Sequence, residues 1–187
     1  MVYNEGGVLM SYVFVWRDYP KCTGCRRCEI ACSLRHEGKI WPEASRIRIF
    51  MLVPGAEIPI LCSQCDDYPC VASCPSEALS VDKSTSAVIV DRGKCTSCGS
   101  CIKACPGEIP FLHPGDNKAV ICNLCNGDPE CAKVCQKAKF NALTAVREVP
   151  TDISARFYSR KLFARKPEEI TADVAVNLYG EKAEEMM

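Results

Sequence analysis

All sixteen cysteines of this 187-residue chain fall into four tandem quartets. The first is Cys22, Cys25, Cys28 and Cys32, spaced C-x2-C-x2-C-x3-C. The second is Cys62, Cys65, Cys70 and Cys74, with a four-residue middle gap and Pro75 behind it. The third, Cys95, Cys98, Cys101 and Cys105, repeats the first spacing and is followed by Pro106. The fourth, Cys122, Cys125, Cys131 and Cys135, has a five-residue middle gap. A chain that commits this much sequence to sulfur must fold around whatever the sulfur binds. An even cysteine count would suit a secreted disulfide scaffold. The N-terminus, however, shows no basic n-region, long apolar h-region or small-residue cleavage site. The Arg26-Arg27 pair lies between Cys25 and Cys28, where no signal could be cleaved away. Structural zinc takes two separated pairs of ligands. Here the cysteines come as triplets plus one, and a triplet caps one face of an iron–sulfur cubane.

The run C-x2-C-x2-C-x3-C-P resembles the bacterial ferredoxin signature, in which three thiolates hold one [4Fe–4S] cluster and the fourth reaches another. Four runs imply four cubane clusters and, most simply, an electron wire. In such repeats the first three cysteines are expected on a loop and the fourth on the helix that follows. The resemblance therefore implies one cluster on Cys22, Cys25, Cys28 and Cys135, and a second on Cys32, Cys122, Cys125 and Cys131. A third falls to Cys62, Cys65, Cys70 and Cys105, and a fourth to Cys74, Cys95, Cys98 and Cys101. Two positions depart from the signature. Ser33 follows Cys32 and Gln136 follows Cys135, where proline is usual; proline shapes the backbone there but ligates nothing.

Between the second and third quartets, the β-prone runs Ala78–Asp82 and Ala87–Asp91 flank the polar Lys83–Ser86, which predicts a hairpin. Apolar runs also lead into the first, second and fourth quartets: Val8–Trp16, read as a first strand, Ile58–Leu61 and Lys118–Ile121. The fold expected is α+β, with two bacterial-type two-cluster ferredoxin modules, one inserted in the other, and a helical tail. Residues 1–145 would form the four-cluster domain, with an inner module at 58–110 and an outer one at 11–57 plus 111–145. Residues 146–187 would form the tail.

The set of quartets resembles the four-cluster ferredoxin-like subunits of multi-subunit oxidoreductases. These include the iron–sulfur subunits of dimethyl sulfoxide reductase and formate dehydrogenase, and polyferredoxins serving carbon monoxide dehydrogenase and hydrogenases. The likeness spans about residues 11–145. Cys28–Gly38 (CEIACSLRHEG), Ser45–Ile47 and Ile58–Cys65 (IPILCSQC) look typical of a cytoplasmic branch. Cys105–Phe111 (CPGEIPF) and Cys122–Cys131 (CNLCNGDPEC) look most like small subunits accompanying tungsten enzymes: the aldehyde ferredoxin oxidoreductase family and ATP-independent benzoyl-CoA reductase. The resemblance implies a non-catalytic electron-transfer subunit. Its partner would be a larger tungsten–pterin chain, with a further carrier subunit or a soluble ferredoxin beyond. The alternatives are a free polyferredoxin, or a subunit of a hydrogenase, carbon monoxide dehydrogenase or molybdopterin enzyme.

Composition narrows the partners. Lys+Arg and Asp+Glu are equal at 23 each, so net charge gives no support for nucleic-acid or anionic-membrane binding. No stretch is long and apolar enough to span a bilayer. Oxygen-sensitive clusters without an export signal point to the cytoplasm of an anaerobic or facultative organism. Aromatic residues make up only 7% of the chain, so clusters would replace much of the core and folding would be coupled to metal. No catalytic constellation appears, nor any G-x-G-x-x-G or P-loop. The two histidines, His36 and His113, each follow a quartet; a structural bond is the plain expectation, and a tuning hydrogen bond to a cluster the sharper one. Gly24, Gly93 and Gly99 are expected to let backbone N–H groups approach cluster sulfur.

Beyond residue 145 there is no cysteine. Asp152–Arg165 carries Ile153, Phe157, Leu162 and Phe163 among basic residues. Pro167, Glu168 and Glu169 then read as a helix start, Ile170, Val174 and Leu178 as an apolar stripe, and Gly180 as its end. The tail is expected to dock a larger subunit, with packing on its own domain as the alternative.

Overall fold

A computed structural model of the chain describes residues 14–146 and 164–186. Among these residues the strands form four separate two-stranded antiparallel sheets. Strand β1 (Phe14–Arg17) pairs with β8 (Leu143–Val146), Arg17 opposite Leu143. The run ahead of the first quartet thus meets the run behind the fourth. The remaining pairs are β2 (Ile47–Val53) with β3 (Ala56–Leu61), β4 (Leu79–Val81) with β5 (Val88–Val90), and β6 (Phe111–Leu112) with β7 (Ala119–Val120). The β4–β5 hairpin lies where the two β-prone runs predicted it.

The β2–β3 hairpin is two-faced because side chains alternate along a strand. Ile47 stands opposite Leu61 and Ile49 opposite Pro59; on the other face Arg48 stands opposite Ile60 and Phe50 opposite Ile58. Ile47, Ile49 and Leu61 join a core containing Val15, Cys28, Cys32, Leu124, Cys131 and Leu143. Ile58 and Ile60 join a second core, with Val53, Ala56, Ile170, Val174, Ala175 and Ala183. Covered on both faces, β3 reads as a continuous apolar run rather than an alternating one.

Helices α1 (Arg27–Glu37), α2 (Pro69–Ala72), α3 (Ser100–Ala104) and α4 (Glu130–Lys137) each follow the first pair of cysteines in a quartet. Their lengths track one residue. α2 has 4 residues and α3 has 5, and both stop before Pro75 and Pro106. A proline clashes with the turn before it and pushes the preceding residue out of helical geometry. With Ser33 and Gln136 in its place, α1 runs on to 11 residues and α4 to 8, and the two pack together. The missing prolines therefore change structure without touching a ligand.

Helix α5 (Pro167–Tyr179) begins with Pro167 and two acids and is closed by Gly180; α6 (Ala183–Met186) follows. α5 lies across β2 and β3. Ile170 and Val174 of the expected stripe are buried, with Thr171 and Ala175 beside them, while Leu178 is 46% exposed. The stripe is thus covered along its first two positions and left open at Leu178, near the helix end. Tyr179 donates its hydroxyl to the Pro54 carbonyl at the β2–β3 turn. The amphipathic segment Asp152–Phe163 lies outside the described residues, as does the part of Val8–Trp16 before Phe14.

Candidate metal centres

One backbone device recurs in all four quartets. The residue just before the second cysteine is left-handed each time: Gly24 (φ +65°), Gln64 (+52°), Ser97 (+60°) and Leu124 (+53°). This conformation swings the residue's N–H back toward the first cysteine. Gln64 N–H donates to Cys62 Sγ at 3.4 Å, and the N–H groups of Gly24 and Leu124 reach the sulfurs of Cys22 and Cys122. Only Gly24 announces itself in sequence. A Cβ there would stand 2.7 Å from the Glu57 carboxyl carbon. Gly24→Ala should therefore cost about 1–2 kcal/mol of left-handed strain. A chelator should strip iron from the adjacent site several-fold faster in that variant; an unchanged rate would show that Glu57 simply swings aside. Gly93 plays a different part from the one expected, because its N–H donates to Asp91 Oδ1 at 2.9 Å and closes a turn.

The third cysteine of each quartet is not on the loop, contrary to the ferredoxin-based expectation. Cys28, Cys70, Cys101 and Cys131 all sit in the first turn of their helices. In α1 and α4 the fourth cysteine, Cys32 or Cys135, lies one turn on, on the same face as the third. Cys74 and Cys105 fall just past the short α2 and α3.

Helix packing brings distant sulfurs together. One cavity is lined by Cys22, Cys25, Cys28 and Cys135, another by Cys32, Cys122, Cys125 and Cys131, and another by Cys74, Cys95, Cys98 and Cys101. Cys70 lies within electrostatic reach of Cys105 and Cys65, and Cys62 of Cys70 and Cys65. The four groups are themselves neighbours in series. Cys131 feels Cys28, Cys62 feels Cys122, and Cys70 feels Cys101. Of the sixteen thiols, only Cys25 and Cys98, in the two outermost groups, are exposed.

These donors fit an iron–sulfur cubane. Among the described residues, no three His, Cys, Asp or Glu side chains converge closely enough to hold a single metal ion, the shell zinc would need. The sulfurs stand around cavities instead, and backbone N–H groups point at them. Arg46 donates to Cys32 at 3.2 Å, Ala78 to Cys74 at 3.3 Å, Ala119 to Cys95 at 3.4 Å and Leu143 to Cys135 at 3.4 Å. Such bonds favour a charged sulfur over a thiol. Burial, with Glu29 and Cys22 adding to it, pushes the Cys28 thiol up to about 12. Burial and then Cys32 push Cys122 to about 12; burial and then Cys105 push Cys70 to about 11. At neutral pH these sulfurs keep their protons unless a cation displaces them. Cluster insertion thus releases protons and is coupled to ordering of the loops. At the far end the balance reverses. The Ser100 hydroxyl and N–H, with the Thr96 hydroxyl, hold the exposed Cys98 below its ordinary value.

Three polar residues passed over in the sequence tie the quartets together. Buried Gln64 donates from Nε2 to the Cys122 carbonyl at 2.7 Å and accepts from Val88 N–H at 3.0 Å, joining the second quartet to the fourth and to the β4–β5 hairpin. Glu29 accepts from Ile49 N–H at 2.7 Å and pairs with Arg26. Arg17 Nη2 donates to the Leu61 and Cys62 carbonyls at 2.9 and 3.3 Å. Only the half-polar character of otherwise apolar runs hinted at these roles.

The histidines divide. His113 meets Gly115 N–H at Nδ1 (3.1 Å) and Glu37 Oε2 at Nε2 (3.2 Å). Packed edge-on against Trp41, it is a structural residue. His36 Nε2 instead lies 3.7 Å from Cys125 Sγ. Among the described residues no helix is long and apolar enough to cross a membrane.

Comparison with known proteins fits these centres. A family described as 4Fe-4S dicluster domain matches residues 55–146. The chain is 50% identical over 161 residues to the polyferredoxin-like subunit of an aliphatic sulfonate oxidoreductase from Pyrococcus furiosus, covering 86% of this chain and 90% of that one. It is 29% identical to the thiosulfate reductase electron transfer subunit PhsB of Salmonella typhi, over 92% and 93% of the two chains. A solved structure of the active-site complex BamBC of benzoyl coenzyme A reductase aligns over 92% of this chain and 94% of the matched one, with 22% identity and a TM-score of 0.41. With cysteines gathered in this way and half of its residues shared with the Pyrococcus subunit over nearly the length of both, the chain belongs to the polyferredoxin-like family of [4Fe–4S] electron-transfer subunits.

Proposed function

We propose that this chain relays single electrons through four [4Fe–4S] clusters between a larger tungsten–pterin catalytic subunit and a second carrier, in the cytoplasm. The clusters supply one-electron redox chemistry, and the protein supplies their spacing, burial and hydrogen bonds. The first cluster would be held by Cys22, Cys25, Cys28 and Cys135, and the second by Cys32, Cys122, Cys125 and Cys131. The third would take Cys62, Cys65, Cys70 and Cys105, and the fourth Cys74, Cys95, Cys98 and Cys101. The observation that carries this is that each cysteine group lies within electrostatic reach of the next, with exposed Cys25 and Cys98 in the first and last groups. An electron entering at either end has a buried path to the other.

The pairing of β1 with β8, outside the β4–β5 hairpin and the quartets flanking it, supports an inner two-cluster module at 58–110 set within an outer one. Assembly with a catalytic chain is supported by the name of the Pyrococcus relative. The tungsten–pterin partner rests on the likeness of Cys105–Phe111 and Cys122–Cys131 to small subunits of tungsten enzymes. The tail, 146–187, is the segment we assign to that contact, through residues beyond the buried face of α5.

Anaerobic purification under mild conditions tests the proposal. The expected product is a complex with a larger, tungsten-containing chain, and with about 16 iron and about 16 acid-labile sulfide per copy of this subunit. The isolated subunit should show no substrate turnover. Half that iron would mean that one module is degenerate. Stoichiometric zinc would sink the relay, and migration as a lone chain would favour a free carrier.

A further inference from the structure

We propose that His36 raises the potential of the second cluster: its Nε2–H donates to Cys125 Sγ. This builds on the ligand assignment proposed above for Cys32, Cys122, Cys125 and Cys131.

The placement begins with α1. Cys28, Cys32 and His36 follow one another at intervals of four residues, so they share one face of the helix. Cys28 turns toward the first group of sulfurs, Cys32 toward the second, and His36 extends the same row by one more turn. It reaches Cys125, on the facing quartet, at 3.7 Å. A thiolate bound to iron has no proton to give, so the hydrogen in this contact belongs to Nε2.

The cavities of the first and fourth groups differ. His36 and Arg46 both line the cavity of the second group; the Arg46 backbone N–H donates to Cys32, and its guanidinium is paired to Glu37 at 3.5 Å. The cavity of the fourth group is walled by Ser76, Thr96, Ser97 and Ser100, with no imidazole or guanidinium. Arg26 and Arg27 reach the first cavity, but there Arg26 is paired to Glu29, and the Glu57 carboxylate lies against Gly24. Adding an electron to a cluster adds negative charge. A directed N–H stabilises the reduced form and raises the potential.

The test is a redox titration of the cluster-loaded full chain followed by electron paramagnetic resonance. Cys125→Ser first identifies which signal belongs to the second cluster. In His36→Leu the ratio of reduced to oxidised second cluster at a fixed potential should fall about fivefold, the worth of one hydrogen bond. The other three clusters should not move. His36→Gln, which keeps an N–H donor, should remain near the wild type. Unchanged potentials in His36→Leu, an equal fall in His36→Gln, or a shift shared by all four clusters would overturn the proposal. Should His36→Leu lose iron, pulsed resonance on wild-type protein with histidine labelled at its ring nitrogens decides the matter. Coupling of a labelled nitrogen to the signal altered by Cys125→Ser is expected, and its absence refutes the role of His36. If Cys125→Ser altered no cluster, the ligand assignment itself would fall and the proposal with it.

Discussion

Cys105→Ala is expected to destroy a cluster that its own quartet does not hold. About 4 of the roughly 16 irons should be lost with the cluster on Cys62, Cys65 and Cys70, or that cluster should shed the iron at its vacated corner. The cluster on Cys95, Cys98, Cys101 and Cys74 should persist. The geometry behind this is the short α3. Pro106 ends the helix at Ala104, so Cys105 leaves it in extended conformation, and after burial it is Cys105 that acts most on the Cys70 thiol. Cys101, one helical turn earlier, is pushed up by burial and then by Cys95, Cys98 and Cys74. Cys101→Ala should therefore remove the other cluster, and the two variants should leave complementary spectra. Iron content with Mössbauer or resonance spectra of each would settle the pairing. Loss of the local cluster in Cys105→Ala would reverse the assignment.

How much of this was written in the sequence depends on the range of the interaction involved. The β4–β5 hairpin is local, since Ser80 and Val81 turn back on Val88 and Ile89 through a polar loop, and its residues state this plainly. So do the start of α5 at Pro167 and its end at Gly180. The β2–β3 hairpin was equally local. Alternating Ile47 and Ile49, and a turn at Pro54 and Gly55, mark it in the sequence. The left-handed residues before each second cysteine were legible at Gly24 alone. At Gln64, Ser97 and Leu124 the surrounding loop imposes a backbone that those residues do not favour by themselves. Gln64 was out of reach for another reason, because its partners, Val88 and the Cys122 carbonyl, are distant in sequence. The stripe on α5 was visible, but not what it covers. An apolar helix face looks the same in sequence whether it meets another subunit or the chain's own hairpin.

The cover that α5 lays on that hairpin sets the second large effect. Ile170 and Val174 are 3% and 6% exposed and pack with Val53, Ala56, Ile58 and Ile60. Truncating a buried isoleucine to alanine costs about 2–5 kcal/mol, and a valine somewhat less. The two residues share the same partners, so their losses should not simply add. In a chain of this size each kcal/mol moves the thermal midpoint by about 2–4 °C. Ile170→Ala combined with Val174→Ala should thus lower the temperature at which the iron–sulfur absorbance bleaches by about 10 °C or more. Nearer the end of the same helix the outer pair, Val176 and Leu178, is 54% and 46% exposed. Changing both to serine should leave that temperature nearly unaltered, because exposed substitutions rarely exceed about 0.5 kcal/mol. The contrast separates two jobs for one helix. If the inner pair unfolds the hairpin while the outer pair leaves stability intact and weakens co-purification with the large chain, α5 is both part of the fold and part of the contact. Equal thermal losses from the two pairs would mean that the outer pair is also covered within this chain. A negligible loss from the inner pair would mean that β2 and β3 are held in place by the cysteine-lined core alone.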